Sequence, residues 1–292
     1  MKTRTIEIVN KRSGGVKIAF GIASVILAIY CFSLIYPFVW MFQTSLKTSL
    51  EYFMSGPLQF AVKPQWKNYF EVFSKLKVKE SNFLIMFWNT VWHSFGSTTI
   101  GIFASSVVAY CLAKYKFGVR SLMYAVILFI MVYPSMGTSG AAYKQAQDLG
   151  IFDTPFMLIK SAGGYSGKPF FVIYSFFLTL PWDYGDAAFI DGANDYQVFF
   201  KIMLPMASGP IMAMYTVDLI SGWSNYMNIL LYLPSYPTLM AGLYLYESDM
   251  TRAISYPLYY TGVIVTMLPM LIIFAFCQDL IMKNVTIGGI KG

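Results

Sequence analysis

The sequence predicts an all-α membrane protein with about six transmembrane helices. Three observations predict it. Hydrophobic residues make up 57% of the 292 and charged residues only 12%, whereas an ordinary globular domain is roughly a quarter charged. Mean hydropathy is +0.56. Apolar runs recur at the length of about 20 residues that a hydrocarbon core of about 30 Å demands. The runs are read as helices, because only helices and closed barrels satisfy every backbone group in lipid.

The runs, in order, are Ile18 to Phe42, Phe83 to Leu112, Leu122 to Ala142, Pro155 to Leu180, Pro210 to Leu233 and Leu258 to Met282. The fourth is interrupted by Lys160, Gly163, Gly164, Lys168 and Pro169. The first follows Lys2, Arg4, Lys11 and Arg12, as a signal peptide would. Its apolar core far exceeds the roughly 7 to 15 residues of such a segment, and no small-x-small cleavage site follows. The chain therefore divides into an N-terminal tail (1–17), a transmembrane domain (18–283) and a C-terminal tail (284–292).

Basic residues near span ends orient the chain. The N-terminal tail is basic, and Lys114, Lys116 and Arg120 crowd the short turn between the second and third runs. Both are expected on the cytoplasmic side. An even number of spans brings Lys283 and Lys291 back to it. The segment from Gln43 to Asn82 argues the other way, since it holds Lys47, Lys63, Lys67, Lys75, Lys77 and Lys79. The short turn is the tighter constraint on insertion. The net charge of +7 suits anionic lipid headgroups. No basic stripe interleaved with aromatics points to nucleic acid.

Signatures of catalysis are missing. Cys31, Cys111 and Cys277 are far apart, without metal spacing or a disulfide framework, and read as small core residues. His93 is the only histidine, which disfavours a metal site and suits a satisfied interior position or a pathway wall. The stretch "AGGYSGKPF" resembles a phosphate loop only superficially. Ala162 stands where that loop needs glycine, and Pro169 where it needs Ser or Thr. The chain is expected to be no enzyme and to bind no cofactor; any ATP must be bound by another chain.

One polar stretch lies between apolar runs: "DYGDAAFIDGANDYQVFFKIMLP", Asp183 to Pro205. Phe189, Ala193, Tyr196, Phe200 and Met203 recur at helical spacing, while Asp186, Asp191 and Asp195 punctuate the polar surface. Asp191 and Asp195 are four apart, a like-charge pairing that costs an isolated helix about 0.2 to 0.5 kcal/mol. Gly192 costs about 1 kcal/mol inside a helix and is better read as a turn between two short helices or a point of close approach. The acidity disfavours a helix lying on an anionic leaflet and favours a protein partner.

This stretch resembles the EAA loop of binding-protein-dependent ABC importer permeases, whose pattern runs E-A-A-x-x-D-G-A, then spaced apolar residues, then L-P. Ala187, Ala188, Asp191, Gly192, Ala193, Phe199 or Phe200, Ile202, Leu204 and Pro205 match; Asp186 replaces the usual glutamate. "YPFVWMFQTSLK", "PQWKNYFEVF", "NFLIMFWNTV" and the terminal "VTIGGIKG" extend the resemblance to the carbohydrate branch, in its MalG-like half. The resemblance implies the type I importer fold and a multi-pass subunit of a bacterial cytoplasmic membrane with both termini inside. It also implies a second permease, a cytoplasmic ATPase dimer carrying ATP and Mg²⁺, and an extracytoplasmic solute-binding protein. By the same resemblance Asp186, Ala187, Ala188, Asp191, Gly192, Ala193, Asp195, Leu204 and Pro205 dock the ATPase, and the tail from Ile287 to Gly292 reaches toward it.

Candidate path residues come from misplaced polarity. Asp218 lies in the middle of the fifth run, where a carboxylate costs about 3 kcal/mol and calls for a partner or a wet cavity. Trp223, Asn225 and Tyr226 follow it with rings and an amide, and Lys160 and Lys168 mark the break in the fourth run. The rival reading is an ion-coupled secondary transporter. It would place its binding residues in broken helices, often within internal repeats; no convincing repeat relates the halves, and it leaves the acidic loop unexplained.

Overall fold

The computed structural model describes residues 14–56, 58–133, 137–249 and 254–285. Its helices are α1 (Gly14–Ser45), α2 (Ser49–Met54), α3 (Asn68–Lys75), α4 (Phe83–Lys114), α5 (Arg120–Val132) and α6 (Ser139–Asp148). A 3₁₀ segment (Pro155–Ser166) leads to α7 (Lys168–Thr179), α8 (Asp183–Ile190), α9 (Asp195–Val198), a π-helical turn (Phe199–Met203) and α10 (Leu204–Met206). There follow α11 (Ser208–Ser224), α12 (Met227–Tyr232), α13 (Leu239–Ser248) and α14 (Tyr256–Val285). Two short antiparallel strands, β1 (Lys77–Val78) and β2 (Ser81–Asn82), precede α4.

Among the described residues three helices are long and apolar enough to cross a membrane: α1, α4 and the 256–279 part of α14. A fourth arises if the 195–206 and 208–224 segments, bent by 74°, form one span. The other apolar runs are shorter helices than the sequence suggests. Helix α5 has 13 residues, about 20 Å at 1.5 Å per residue. It ends at Tyr133, which is extended and stands before a proline in the sequence, a position that disfavours helical backbone. The fifth run breaks at Asn225, also extended, whose side-chain oxygen accepts the Asn228 N–H at 3.2 Å.

The ends differ slightly from the expected boundaries. Helix α1 begins at Gly14, inside the expected tail of 1–17, and α14 runs to Val285. The basic residues before Gly14 and the terminal "TIGGIKG" lie outside the described residues. Cys31 and Cys111 are exposed rather than core, because each stands on the outward face of an apolar helix.

The chain divides into two compact units. The first takes in residues up to Glu71 and Ser255–Ile264. It is organised around the end of α1, where Gln43, Thr44, Ser45, Leu46 and Lys47 are buried. The Asn68 amide donates to the carbonyls of Ser45 and Lys47 at 2.7 and 3.1 Å, and the Thr261 hydroxyl reaches Ser45 O at 3.4 Å. Lys47 is consumed structurally, donating to the Ser55 hydroxyl at 2.9 Å. Tyr52 stacks on Tyr256 at 5.0 Å.

The second unit holds Val72–Ile254 and Val265 onward. Its largest core sets Ile102, Tyr110 and Leu112 of α4 against Phe170, Ile173 and Phe177 of α7 and against Val198, Phe199 and Met203. The 3₁₀ segment packs along α4 at a glycine contact. A Cβ at Gly164 would lie 3.3 Å from the Gly101 Cα, and Ser105 donates to Gly164 O at 3.2 Å. This backbone is irregular, and α4 covers it on one side as the apolar setting requires.

Candidate functional site

The polar stretch 183–205 folds as two short helices joined by a tight turn. Asp183 and Asp186 occupy the first turn of α8, where the helix dipole favours carboxylates. At its end Ala193 N bonds Ala188 O at 2.9 Å and Gly192 N bonds Phe189 O at 3.0 Å, the pair of bonds that closes a Schellman turn. Gly192 has φ +85, the left-handed conformation that favours glycine. The next helix is fixed by a capping box. Asn194 Oδ1 accepts from Gln197 N at 2.9 Å, and Gln197 Oε1 accepts from Asn194 N at 3.0 Å.

This geometry corrects two expectations. Asp191 and Asp195 are not on one helix face, because the turn separates them, so the like-charge penalty does not arise. The expected apolar stripe is likewise divided: Met203 is fully buried while Tyr196 is 77% exposed. The side chains that protrude are Asp186, Ala187, Asp191, Asp195 and Ile190, the last 87% exposed. Ile190 escaped the sequence reading because helical spacing alone placed it off the stripe.

Three anchors tie this element to the helices. Ala188 is buried against the core. Tyr115, just past α4, donates to Asp195 Oδ1 at 2.6 Å, and Lys114 donates to Leu180 O at 2.5 Å. Burial first, and then the bond to Asp195, hold the Tyr115 phenol above its ordinary pKa, so it stays a donor. Pro205 has no N–H to give, and the preceding turn widens, with Leu204 N bonding Phe199 O. The 74° bend follows at Ala207, where α10 gives way to α11.

A second feature is a cavity of about 330 Å³ between α4, the 3₁₀ segment and the α11–α12 break. It gathers Lys160, Asp218 and Asn225 with Ser97, Thr98 and Asn228. The Lys160 ammonium sits over the Tyr232 ring, 3.5 Å from its centroid, a cation–π contact. Lys168 does not line the cavity. His93 does line it, and its Nδ1 is buried without a hydrogen-bond partner among the described residues, an orphan polar atom that calls for a water or a solute.

Trp223 and Tyr226, like Lys168, do not line the cavity. Trp223 is buried and donates its indole N–H to Thr266 O at 3.1 Å, so its role is to hold α11 to α14. Tyr226 stacks on Tyr244 at 4.8 Å. Among the described residues no three His, Cys, Asp or Glu side chains gather to hold a metal ion.

Comparison with known proteins agrees with this architecture. Over 92% of this chain the fold superposes on 98% of a chain in a bacterial ABC transporter involved in the import of the acidic polysaccharide alginate, with TM-score 0.73 and 21% identity. The chain is 27% identical over 271 residues to the diacetylchitobiose uptake system permease NgcG of Streptomyces coelicolor, covering 91% of this chain and 87% of that one. It is 30% identical over 206 residues to the arabinooligosaccharides transport system permease AraQ of Halalkalibacterium halodurans, covering 70% and 74%. Residues 97–287, which contain the helical turn and every cavity residue named above except His93, match a single family throughout. The chain belongs to the binding-protein-dependent transport system inner membrane components, and the ion-coupled secondary transporter reading is set aside.

Proposed function

We propose that this chain is one of two permease subunits of an ATP-driven importer for a sugar or oligosaccharide, and that residues 183–205 are its docking element for a separate ATPase. Family membership carries the importer reading, and the uptake systems named for its relatives support the substrate class. Supporting the docking role, the capped turn presents Asp186, Ala187, Asp191, Gly192 and Asp195 outward, while Ala188 and Ala193 pack inward. Leu204 and Pro205 lie just before the bend at Ala207, through which movement of the turn would reach α11.

In this reading the ATPase pair carries ATP and Mg²⁺, and its closure pushes the turn. The push passes through the Tyr115–Asp195 contact to α4 and through the bend to α11. Those two helices wall the cavity, so Lys160, Asp218, Asn225 and His93 would line the path. A solute-binding protein delivers the sugar from outside. The six spans are α1, α4, α14, the bent 195–224 pair and the two crossings built on α5 and α7, with both termini cytoplasmic.

Reconstitution tests this. Proteoliposomes holding the chain with its copurifying partners, supplied with binding protein outside and ATP inside, should accumulate oligosaccharide. Accumulation driven by an ion gradient without ATP would contradict the reading.

A further inference from the structure

The outward segment after α1 carries a built surface that the importer reading does not use. Residues 65–71 are strapped to the end of α1. Gln65 N bonds Leu46 O at 2.8 Å, Asn68 holds the Ser45 and Lys47 carbonyls, and the Tyr69 and Ser45 hydroxyls meet at 2.8 Å. The Trp66 ring lies against Phe42 of α1, centroids 6.2 Å apart. These contacts fix the segment at the height where the span ends.

What the straps leave outside is unusual for a polar loop. Trp66, in the turn just before α3, is 58% exposed, and Phe70, in the first turn of α3, is 79% exposed. Lys63 and Lys67, four apart, are exposed, and neither ammonium has a hydrogen bond or carboxylate partner among the described residues. The carboxylate of Glu51 is engaged by Val62 N at 2.6 Å. Aromatic rings beside lysines at a span end match the membrane–water interface, where Trp sits at headgroup depth and lysine meets lipid phosphate.

The geometry points to an anionic-lipid anchor: Trp66 and Phe70 enter the headgroup layer while Lys63 and Lys67 bind the phosphates of acidic lipids. This rests on α1 crossing the bilayer. It accounts for outward lysines that oppose the charge bias of the chain, since Lys47 and Lys79 are already spent on Ser55 and on Pro234 O.

The test uses the complete complex in nanodiscs containing brominated phosphatidylglycerol or brominated phosphatidylcholine. The fluorescence share of Trp66 is the difference between wild type and Trp66→Phe. That share should favour quenching by phosphatidylglycerol by about fivefold for each lysine, as about 1 kcal/mol per lysine implies. Lys63→Gln/Lys67→Gln should equalise the two lipids, whereas Lys63→Arg/Lys67→Arg should keep the preference. Equal quenching in the wild type, or Trp66 shielded by binding protein and untouched by either lipid, overturns the anchor. A fluorophore on Cys31 in a variant lacking the other cysteines separates the failures. Its quenching by both lipids shows that α1 crosses even if the anchor does not exist.

Discussion

The Tyr115 hydroxyl donates to the Asp195 carboxylate at 2.6 Å, joining the end of α4 to α9, the second helix of the 183–205 turn. Sequence spacing cannot show this, because 80 residues separate the two. Tyr115→Phe removes the bond and leaves the ring packed against Tyr110 and Trp182. An exposed bond to a charged group is worth about 1 kcal/mol. We therefore expect the complex to assemble normally while ATP-driven uptake falls about fivefold relative to ATP hydrolysis. Measuring both rates in the same proteoliposomes checks it.

Gly192 sits at φ +85 with open space where a Cβ would point. Gly192→Ala therefore meets backbone strain and no clash, a cost of about 1 kcal/mol. The expected result is a chain that still folds and spans but binds the ATPase several-fold more weakly. Titrating purified ATPase onto the reconstituted permease pair measures it.

A methyl group at Gly164 would lie 3.3 Å from the Gly101 Cα, so packed backbone would have to give by a few tenths of an ångström. Gly164→Ala should destabilise the packing of the 3₁₀ segment on α4 by about 1 to 3 kcal/mol. Gly163→Ala, facing open space, is the control. Thermal unfolding followed in detergent should separate the two variants.

Within the cavity, Asp218→Asn keeps the shape and removes the charge. Uptake should drop about tenfold, the equivalent of ~1.4 kcal/mol, with subunit assembly unchanged. Lys160→Met should do the same, while Tyr226→Phe should have little effect because Tyr226 stacks on Tyr244 away from the cavity. Normal uptake by Asp218→Asn would remove the charge from the path.

The long helices and the turn at Gly192 were legible in the sequence for physical reasons. Uninterrupted apolar runs leave a backbone in lipid few alternatives, and glycine between short amphipathic pieces announces a left-handed turn. The cavity was legible only in part. Asp218, Asn225 and Lys160 were exposed by their cost in an apolar setting. Trp223 was misread because a buried indole with one hydrogen bond has the same sequence signature as a ring facing solute. His93 and Ile190 depend on which way a helix face turns, and packing decides that. The shortness of α5 and α7 follows from breaks that hydropathy averages over.

The most direct measurement is a pull-down of the detergent-solubilised chain from its native membrane, comparing wild type with Gly192→Pro and Asp191→Arg. The account predicts that wild type brings down a second permease and an ATPase, and that both variants keep the permease and lose the ATPase. Retention of the ATPase by both variants would contradict the central claim that residues 183–205 dock the motor.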